Sequence, residues 1–474
     1  MGVRTPEQFL DGLRDDRTVY YRGQRVKAVP DHPELGMAAR HAAIDFQLAE
    51  NPKFRELAVY REGGDEYSAY YRIPRNAKDL MARSKLIETA TTAGATLVIL
   101  VKEIGTDALF ALQRVLARNG DVTGLGRVDA FYRKCRDRDL ALAVAQTDVK
   151  GDRSKRPSEQ KDPDLYVRVV EKRHDGIVVR GAKVHTSCTP YVDEVIVLPS
   201  RTMGLGEEAW SVAFAIPVAS PGVHLYASDY LHGSDDPFTR PISTNHKMIE
   251  TLTVFDNVFV PWERVFFVDR PDLAGAAALT FVEFHRFTAV SYKLPLLDAL
   301  VGAGIAIARA NGIDHAGHVR DKLTWLVGYA ETVRGLTELA ALRCEVEAGV
   351  AYPHVFTSNM AKWTFARDFH KALETVQDLA GGLLVTGPSG MDWESAEVRP
   401  VLEKYLQGAW PTDRRLAMLN LIGELSTRLY GGYQALLAVH AEGSIEAEKL
   451  AMFRAYDPGR AFSLALQLAG LKND

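Results

Sequence analysis

Cysteine is nearly absent: Cys135, Cys188 and Cys344 are the three in a chain of 474 residues, far apart and without metal-site spacing. That disfavours a disulfide framework and a zinc ribbon, and leaves the thiols as buried or idle side chains. Excess charge of one sign is missing too. The 57 basic residues are balanced by 61 acidic ones, and no basic patch is interleaved with aromatics. Nucleic acid is therefore not an expected partner. The first residues, Met1-Gly2-Val3-Arg4-Thr5-Pro6, lack the apolar core of a signal peptide, and no apolar stretch reads as long enough and free enough of charge to cross a bilayer. The expectation is a cytoplasmic protein without a membrane partner. No Gly-x-Gly-x-x-Gly follows a strand pattern and no Gly-x-Ser-x-Gly motif supports a nucleophile, which disfavours a Rossmann dinucleotide fold and serine-hydrolase chemistry. Internal repeats and low-complexity linkers are also missing.

What is present is a sequence whose period changes twice, at a length that suggests three domains. From about Thr5 to Ala141 the pattern is helical, with a short helix starting at Pro6-Glu7-Gln8-Phe9-Leu10 and two longer ones between Asn76 and Arg118, parted at Ala93-Gly94. Between Leu142 and about Arg270 the period falls to two. Runs such as Glu194-Val195-Ile196-Val197-Leu198-Pro199 and Val212-Ala213-Phe214-Ala215-Ile216-Pro217 read as strands broken by Gly and Pro. Beyond Ala274 the helical period returns, to Ala310, from Val319 to Ala348, from Ser358 to Leu379 and from Arg414 to Ala441. Four such helices pack naturally as an antiparallel bundle. The fold class is α+β, mostly α: a helical domain over residues 1–141, a β domain over 142–273 and a bundle over 274–474.

Two segments carry the most information. The first is the turn Thr147-Asp148-Val149-Lys150-Gly151-Asp152-Arg153-Ser154, followed by Asp162-Pro163-Asp164-Leu165-Tyr166 and Asp175-Gly176-Ile177-Val178-Val179-Arg180-Gly181-Ala182-Lys183. Its glycine-bearing turn and the cations Arg153, Arg180 and Lys183 could hold a polyanionic cofactor. The second, about a hundred residues on, is Val254-Phe255-Asp256-Asn257-Val258-Phe259-Val260-Pro261-Trp262-Glu263-Arg264-Val265-Phe266. Together they resemble the family that unites the oxygenase component of 4-hydroxyphenylacetate 3-monooxygenase with 4-hydroxybutyryl-CoA dehydratase, from Arg4 to about Pro458.

The resemblance implies an acyl-CoA dehydrogenase-like architecture with a β-barrel in the middle, a homotetramer, and flavin adenine dinucleotide as cofactor. It implies that Gln146, Lys150, Gly151, Asp152 and Arg153 line the flavin, that Ser187 contacts it, and that Gly443 and Ser444, in the run His440-Ala441-Glu442-Gly443-Ser444, complete the site from the last long helix. The loop Gly381 to Ser389 is expected near a neighbouring subunit's flavin.

For the reaction site, His285 and Tyr292 are seven residues apart, which places them on nearly the same helix face. In the dehydratases that spacing carries a histidine and a cysteine of a [4Fe-4S] cluster, with two further cysteines from a helix matching about Ile99 to Glu103. Tyr292 stands at the cysteine position here and the segment Val98-Ile99-Leu100-Val101-Lys102-Glu103 has none. Thiolates are needed for such a cluster, so no iron-sulfur cluster is expected. An acid of the dehydratases' last helix is matched by Leu437, while Glu250 matches one of their substrate-site acids. The phenol hydroxylases typically present an arginine and a tyrosine on the helix near 98–104 and a histidine where Val144 stands.

The resulting expectation is the oxygenase component of a two-component flavin monooxygenase acting on an aromatic or electron-rich small molecule. Reduced FAD would diffuse from a separate reductase, His285 would do the acid-base work, and Tyr292 and Glu250 would orient substrate. Two alternatives stand beside it: a cluster-free flavin-dependent isomerase or dehydrogenase of acyl-CoA thioesters, and a flavin-binding homologue without catalysis. Asn245-His246-Lys247 reads as a solvated turn or a substrate lid.

Overall fold

The computed structural model describes residues 2–230 and 236–471. The helix Pro6–Gly12 opens at Thr5, whose side chain and that of Gln8 form a capping box. Arg4, just before it, ties this end of the chain to the β region through Asp193 at 2.6 Å and the Asp139 carbonyl at 2.8 Å. The N-terminal region is less purely helical than its pattern suggests. It holds two hairpins, Thr18–Tyr21 with Gln24–Val26 and Val59–Glu62 with Asp65–Ser68. The first of these joins the central sheet.

The two helices expected between Asn76 and Arg118 are Ala77–Ala93 and Glu103–Arg118. They are parted by nine residues, not by a simple break at Ala93-Gly94, and so Val98 to Lys102 is not helical. Ala95, Thr96 and Leu100 take positive φ there. The segment is extended and buried, and it ends on a buried ion pair between Lys102 and Asp139 at 2.7 Å.

The middle region is built of two sheets. The six-stranded one runs Gln24–Val26, Thr18–Tyr21, Val223–Ala227, Thr251–Pro261, Gly176–Lys183, Arg168–Lys172. The four-stranded one runs Val265–Phe267, Ala213–Pro217, Glu194–Val197, Leu142–Ala145. The expected barrel is thus two open sheets with separate ladders, joined by side chains such as Phe214 and Phe255, whose rings meet edge-on at 6.0 Å. The two informative sequence segments prove to be neighbouring strands: Thr253 pairs Lys183, Phe255 pairs Gly181 and Pro261 pairs Gly176, with a bulge at Asp256-Asn257.

The C-terminal bundle is organised around Pro271–Ala310, a helix of 40 residues. By length and apolarity it could cross a membrane, contrary to the sequence expectation, but it is the bundle's core helix and most of its apolar window is packed inside the protein. Gly317–Leu342, Val355–Ala380 and Thr412–Ser426 pack on it. Two boundaries differ from expectation. The second helix stops at Leu342, and a hairpin of Glu345–Glu347 with Val350–Tyr352 follows, turning through Ala348 and Gly349 at φ +48° and +76°. The run from Arg414 to Ala441 is two helices, Thr412–Ser426 and Leu429–His440. The Arg428 guanidinium, bonded to the Asn420 side chain at 3.0 Å, sits at the corner between them.

Candidate flavin cradle and reaction site

The strand Leu142–Ala145 delivers the chain into the turn that runs from Thr147 to Ser154. Gly151 sits at φ +54°, and a Cβ there would lie 2.5 Å from both Gln160 Oε1 and Leu165 Cδ1. The positive φ favours glycine, and any other residue would displace both side chains. Lys150, also at positive φ, lines with Arg153, Tyr166, Ser200 and Arg201 an open cavity of about 260 Å³. Three cations facing one cavity suit a pyrophosphate. Arg201 was not anticipated, because it lies on a different loop.

Lys183 corrects the sequence reading. Its ammonium is buried against Asp148 at 2.6 Å and donates to the carbonyls of Gln146 at 2.9 Å and Leu198 at 2.8 Å. Ser200 donates to the other Asp148 oxygen at 2.7 Å. This pair holds the turn from beneath and leaves Lys183 no access to a ligand. Arg180 likewise faces Asn257 and Asp164, away from the cavity. The Asp152 carboxylate accepts hydrogen bonds from the Ser154 N–H and hydroxyl, which hold it below its usual range. Gln146 donates to the Ala278 carbonyl at 3.2 Å, joining the turn to the long helix.

His185, next to this turn, is held below its usual range first by burial and then by the charges of Lys150 and His440. Gly443 and Ser444 lie just beyond. Gly443 has φ +108°, and a Cβ there would meet the Arg286 guanidinium at 2.5 Å, while Ser444 caps the helix Ile445–Ala455. Ser187 is engaged elsewhere, donating to Glu250 at 2.9 Å.

On the long helix, His285 and Tyr292 do share a face, with ring centroids 6.5 Å apart. His285 Nδ1 meets Asp107 Oδ2 at 2.9 Å, and Arg83 holds the other Asp107 oxygen at 2.7 Å. Arg83 is fixed in turn by the carbonyls of Tyr70 and Glu103 and by Thr106. With Phe281 stacked on its ring at 5.4 Å, the imidazole is oriented and Nε2 is the nitrogen left for a substrate.

Tyr292 donates to Glu442, and Lys293 Nζ lies 2.8 Å from the second Glu442 oxygen. Lys362 stands 3.7 Å from the same carboxylate and 3.2 Å from Glu448. Burial by itself would raise the Glu442 carboxyl, but Lys293, Lys362 and His285 draw it down to about 2. Burial outweighs Glu442 at Lys293, whose ammonium falls to about 8. The Tyr292 phenol is pushed well above its usual value, first by burial and then by Glu442. Tyr292 and Lys293, with Thr96, Val98, Leu296, Phe365, Gln434 and Leu437, surround a void of only about 10 Å³.

Glu250 accepts from Ser187 and, at 3.0 Å, from Tyr433, which stacks obliquely on Tyr230. Burial raises its carboxyl against those two bonds. Tyr433 is one turn from Leu437 on the helix Leu429–His440, which ties Glu250 to the helix that lines the void.

Asp107, Lys293, Lys362 and Glu442 were not foreseen. A charged residue inside the apolar run of Glu103–Arg118 was a usable signal for Asp107. None pointed to Glu442, which supplies a carboxylate to Tyr292 and Lys293 from just beyond the helix Leu429–His440. The Asn245-His246-Lys247 loop is neither solvated turn nor lid: Lys247 is buried against Glu34 and Tyr21, and His246 Nδ1 lies 3.1 Å from His41 Nδ1.

A helical region, a pair of sheets bearing a cationic turn, and a helix bundle closing over it define an acyl-CoA dehydrogenase-like flavoprotein architecture. Butyryl-CoA dehydrogenase from Megasphaera elsdenii superposes on it with a TM-score of 0.50 at 15% identity, over 87% of this chain and 89% of that one. The family is more specific. The model of the 4-hydroxyphenylacetate 3-hydroxylase N terminus matches residues 5–267 and that of its C terminus residues 274–470, and the chain belongs to this family. It is 30% identical to the 4-hydroxyphenylacetate 3-monooxygenase oxygenase component of Thermus thermophilus, over 92% of this chain and 90% of the relative. It is 28% identical to 4-hydroxybutyryl-CoA dehydratase/vinylacetyl-CoA-Delta-isomerase of Clostridium aminobutyricum, over 99% and 100%. A crystal structure of the oxygenase component of 4-hydroxyphenylacetate 3-monooxygenase, complexed with FAD and 4-hydroxyphenylacetate, superposes with a TM-score of 0.91 at 27% identity, over 98% of this chain and 99% of that one.

Proposed function

We propose that this protein is the oxygenase component of a two-component flavin-dependent monooxygenase that hydroxylates an aromatic or electron-rich small molecule. The observation that carries this reading is His285, fixed through Nδ1 by the buried Asp107 and offering Nε2 on the face it shares with Tyr292. FAD would be held at its pyrophosphate by Lys150, Arg153 and Arg201, in the turn shaped by Gln146, Gly151 and Asp152. Ser187 and the Gly443-Ser444 linker would border its ring. Bound reduced FAD supplies the activation of oxygen, and the protein supplies position and a pocket closed to water. His285 Nε2 would take the proton of a phenol, making the ring electron-rich, with Tyr292 and Glu250 orienting it.

The reductase that supplies the flavin would be a separate protein coupled by diffusion, and the compartment the cytoplasm. A homotetramer is supported by the apolar side chains left exposed on the last helices, among them Leu436, Phe453, Phe462 and Leu468. An iron-sulfur cluster does not fit the donor set. Tyr292 is bonded to Glu442 where a thiolate would be needed, and Cys188, with its sulfur 3.6 Å from the Ile99 carbonyl, is a lone thiol.

Anaerobic titration with reduced FAD, followed by mixing with oxygenated buffer and a panel of phenols, tests the reading. Expected are binding of reduced FAD and one atom of labelled dioxygen in the product. Absence of label in every product, with FAD absorbance bleached by an acyl-CoA, would favour a cluster-free thioester isomerase or dehydrogenase. The buried Glu250, raised toward its protonated form, is what supports that second reading.

A further inference from the structure

The phenol hydroxylases' arginine, tyrosine and histidine have no counterparts at Val98 to Lys102 and Val144, so a phenolate formed in this pocket needs a different receptor. The bundle holds groups of the right chemistry, already gathered on one carboxylate. That carboxylate belongs to Glu442. The Tyr292 hydroxyl donates to one of its oxygens and Lys293 Nζ to the other, and His285 is close enough to lower its affinity for a proton. The carboxylate reaches this place from the linker between Leu429–His440 and Ile445–Ala455, where Glu442 itself has φ +56° and Gly443 φ +108°. Two successive residues in positive-φ conformations make a joint, held at the Glu442 carboxylate by Tyr292 and Lys293 and at its carbonyl by Arg286. With the carboxylate seated, the remaining void, about 10 Å³, is too small for an aromatic ring.

We propose that the Glu442 carboxylate occupies the seat of the substrate's phenolate oxygen, and that Lys293 and Tyr292 form the receptor that stabilises this phenolate once Glu442 withdraws. The inference rests on the phenol-hydroxylating reading and adds to it a receptor and a resting-state occupant. In the proton-transfer step the phenol O–H bond breaks, its proton passes to His285 Nε2, and the oxygen's negative charge is answered by the Lys293 ammonium. No electron moves. The charged groups around the seat are His285, Arg286 and Lys293 on the long helix, Lys362 on Val355–Ala380, Glu448 beyond the linker, and Asp107 and Glu103 on Glu103–Arg118. Loss of Glu442 from the seat leaves Lys293 and Lys362 facing each other, which favours an incoming anion.

The test uses 4-nitrophenol, whose phenolate is yellow, titrated into the full-length protein without reduced flavin or oxygen, so that it is independent of oxygenase activity. For wild type, the pKa of the bound probe should fall by about one unit or more relative to the free probe. Glu442→Gln removes the competing charge and keeps a hydrogen-bonding side chain for Tyr292. It should bind the probe about tenfold tighter, because the open seat is more populated. Lys293→Met should abolish the lowered pKa and Lys293→Arg should restore it. Three outcomes would overturn the proposal: an undiminished shift in Lys293→Met, no tightening in Glu442→Gln, or no binding to either wild type or Glu442→Gln. If Lys293→Met does not fold, by circular dichroism, the comparison of Glu442→Gln with wild type still decides. A lowered probe pKa in a protein that never incorporates oxygen would sink the oxygenase reading and leave the receptor standing.

Discussion

The flavin cradle and the bundle pocket solve opposite problems. The cradle is open, about 260 Å³, and its cations Lys150, Arg153 and Arg201 face a cavity in which little answers their charge. The pocket has closed to about 10 Å³, and its cations Lys293 and Lys362 are matched by Glu442 and Glu448. Open, solvated cations cost little and wait for a polyanion. Buried ones must be neutralised by the fold itself, so a pocket meant for an anionic intermediate carries its own counter-ion until substrate arrives.

The largest effect that would break this contrast comes from the pocket. Glu442→Ala strands Lys293 and Lys362 in the core and should cost about 3–5 kcal/mol of unfolding free energy in a denaturant titration; a loss below about 1 kcal/mol would mean that the cluster is hydrated and not closed. The same carboxylate sets a pH dependence. Its folded-state pKa, about 2, lies below the ordinary 4.5, so its contribution is complete above about pH 4.5 and is lost as pH falls toward 2. Glu442→Gln should flatten the acid limb of a stability-against-pH curve. Lys293 adds a second limb of the same sign at higher pH: with a folded value of about 8 against 10.5, stability should rise as pH climbs between those values.

A second effect is kinetic. His285→Gln should leave the melting temperature almost unchanged and lower hydroxylation kcat by roughly 10²–10⁴, whereas Asp107→Asn should show a smaller kcat loss with a shifted pH profile. In the cradle, Gly151→Ala places a Cβ against Gln160 and Leu165 and should destabilise by about 1–3 kcal/mol while weakening FAD. The smallest effect sharpens the contrast from the other side. Arg153→Gln or Arg201→Gln should lower FAD affinity about tenfold in a salt-dependent way, with stability unchanged within about 0.5 kcal/mol. Equal stability losses in cradle and pocket would remove the distinction.

The difference in legibility between the two regions has the same cause. Gly151, Lys150 and Arg153 are consecutive residues of one turn, and a turn's chemistry is local, so a short stretch of sequence displays it. His285 and Tyr292 were visible because a helix repeats by geometry. Their partners Asp107 and Glu442 lie 178 and 150 residues away along the chain, and no local pattern announces them. Lys183 was misread for the same reason: in sequence it is one more cation beside a turn, and only strand pairing and the ion pair with Asp148 show that it faces inward. The helices from Val319 and Arg414 were placed well but ended late or were broken, because Ala348-Gly349 and the Arg428 corner depend on tertiary contacts.

The sequence by itself determined the order of helical, β and bundle regions, the glycine-bearing cationic turn and the helix face shared by His285 and Tyr292, since each follows from backbone periodicity or turn chemistry within a few residues. The tertiary structure decided which charges are stranded and which are answered: Asp148 under Lys183, Asp107 behind His285, Glu442 between Lys293 and Tyr292. Electrostatic pairing in a buried site acts through space at a few ångströms, and only the folded chain sets that distance.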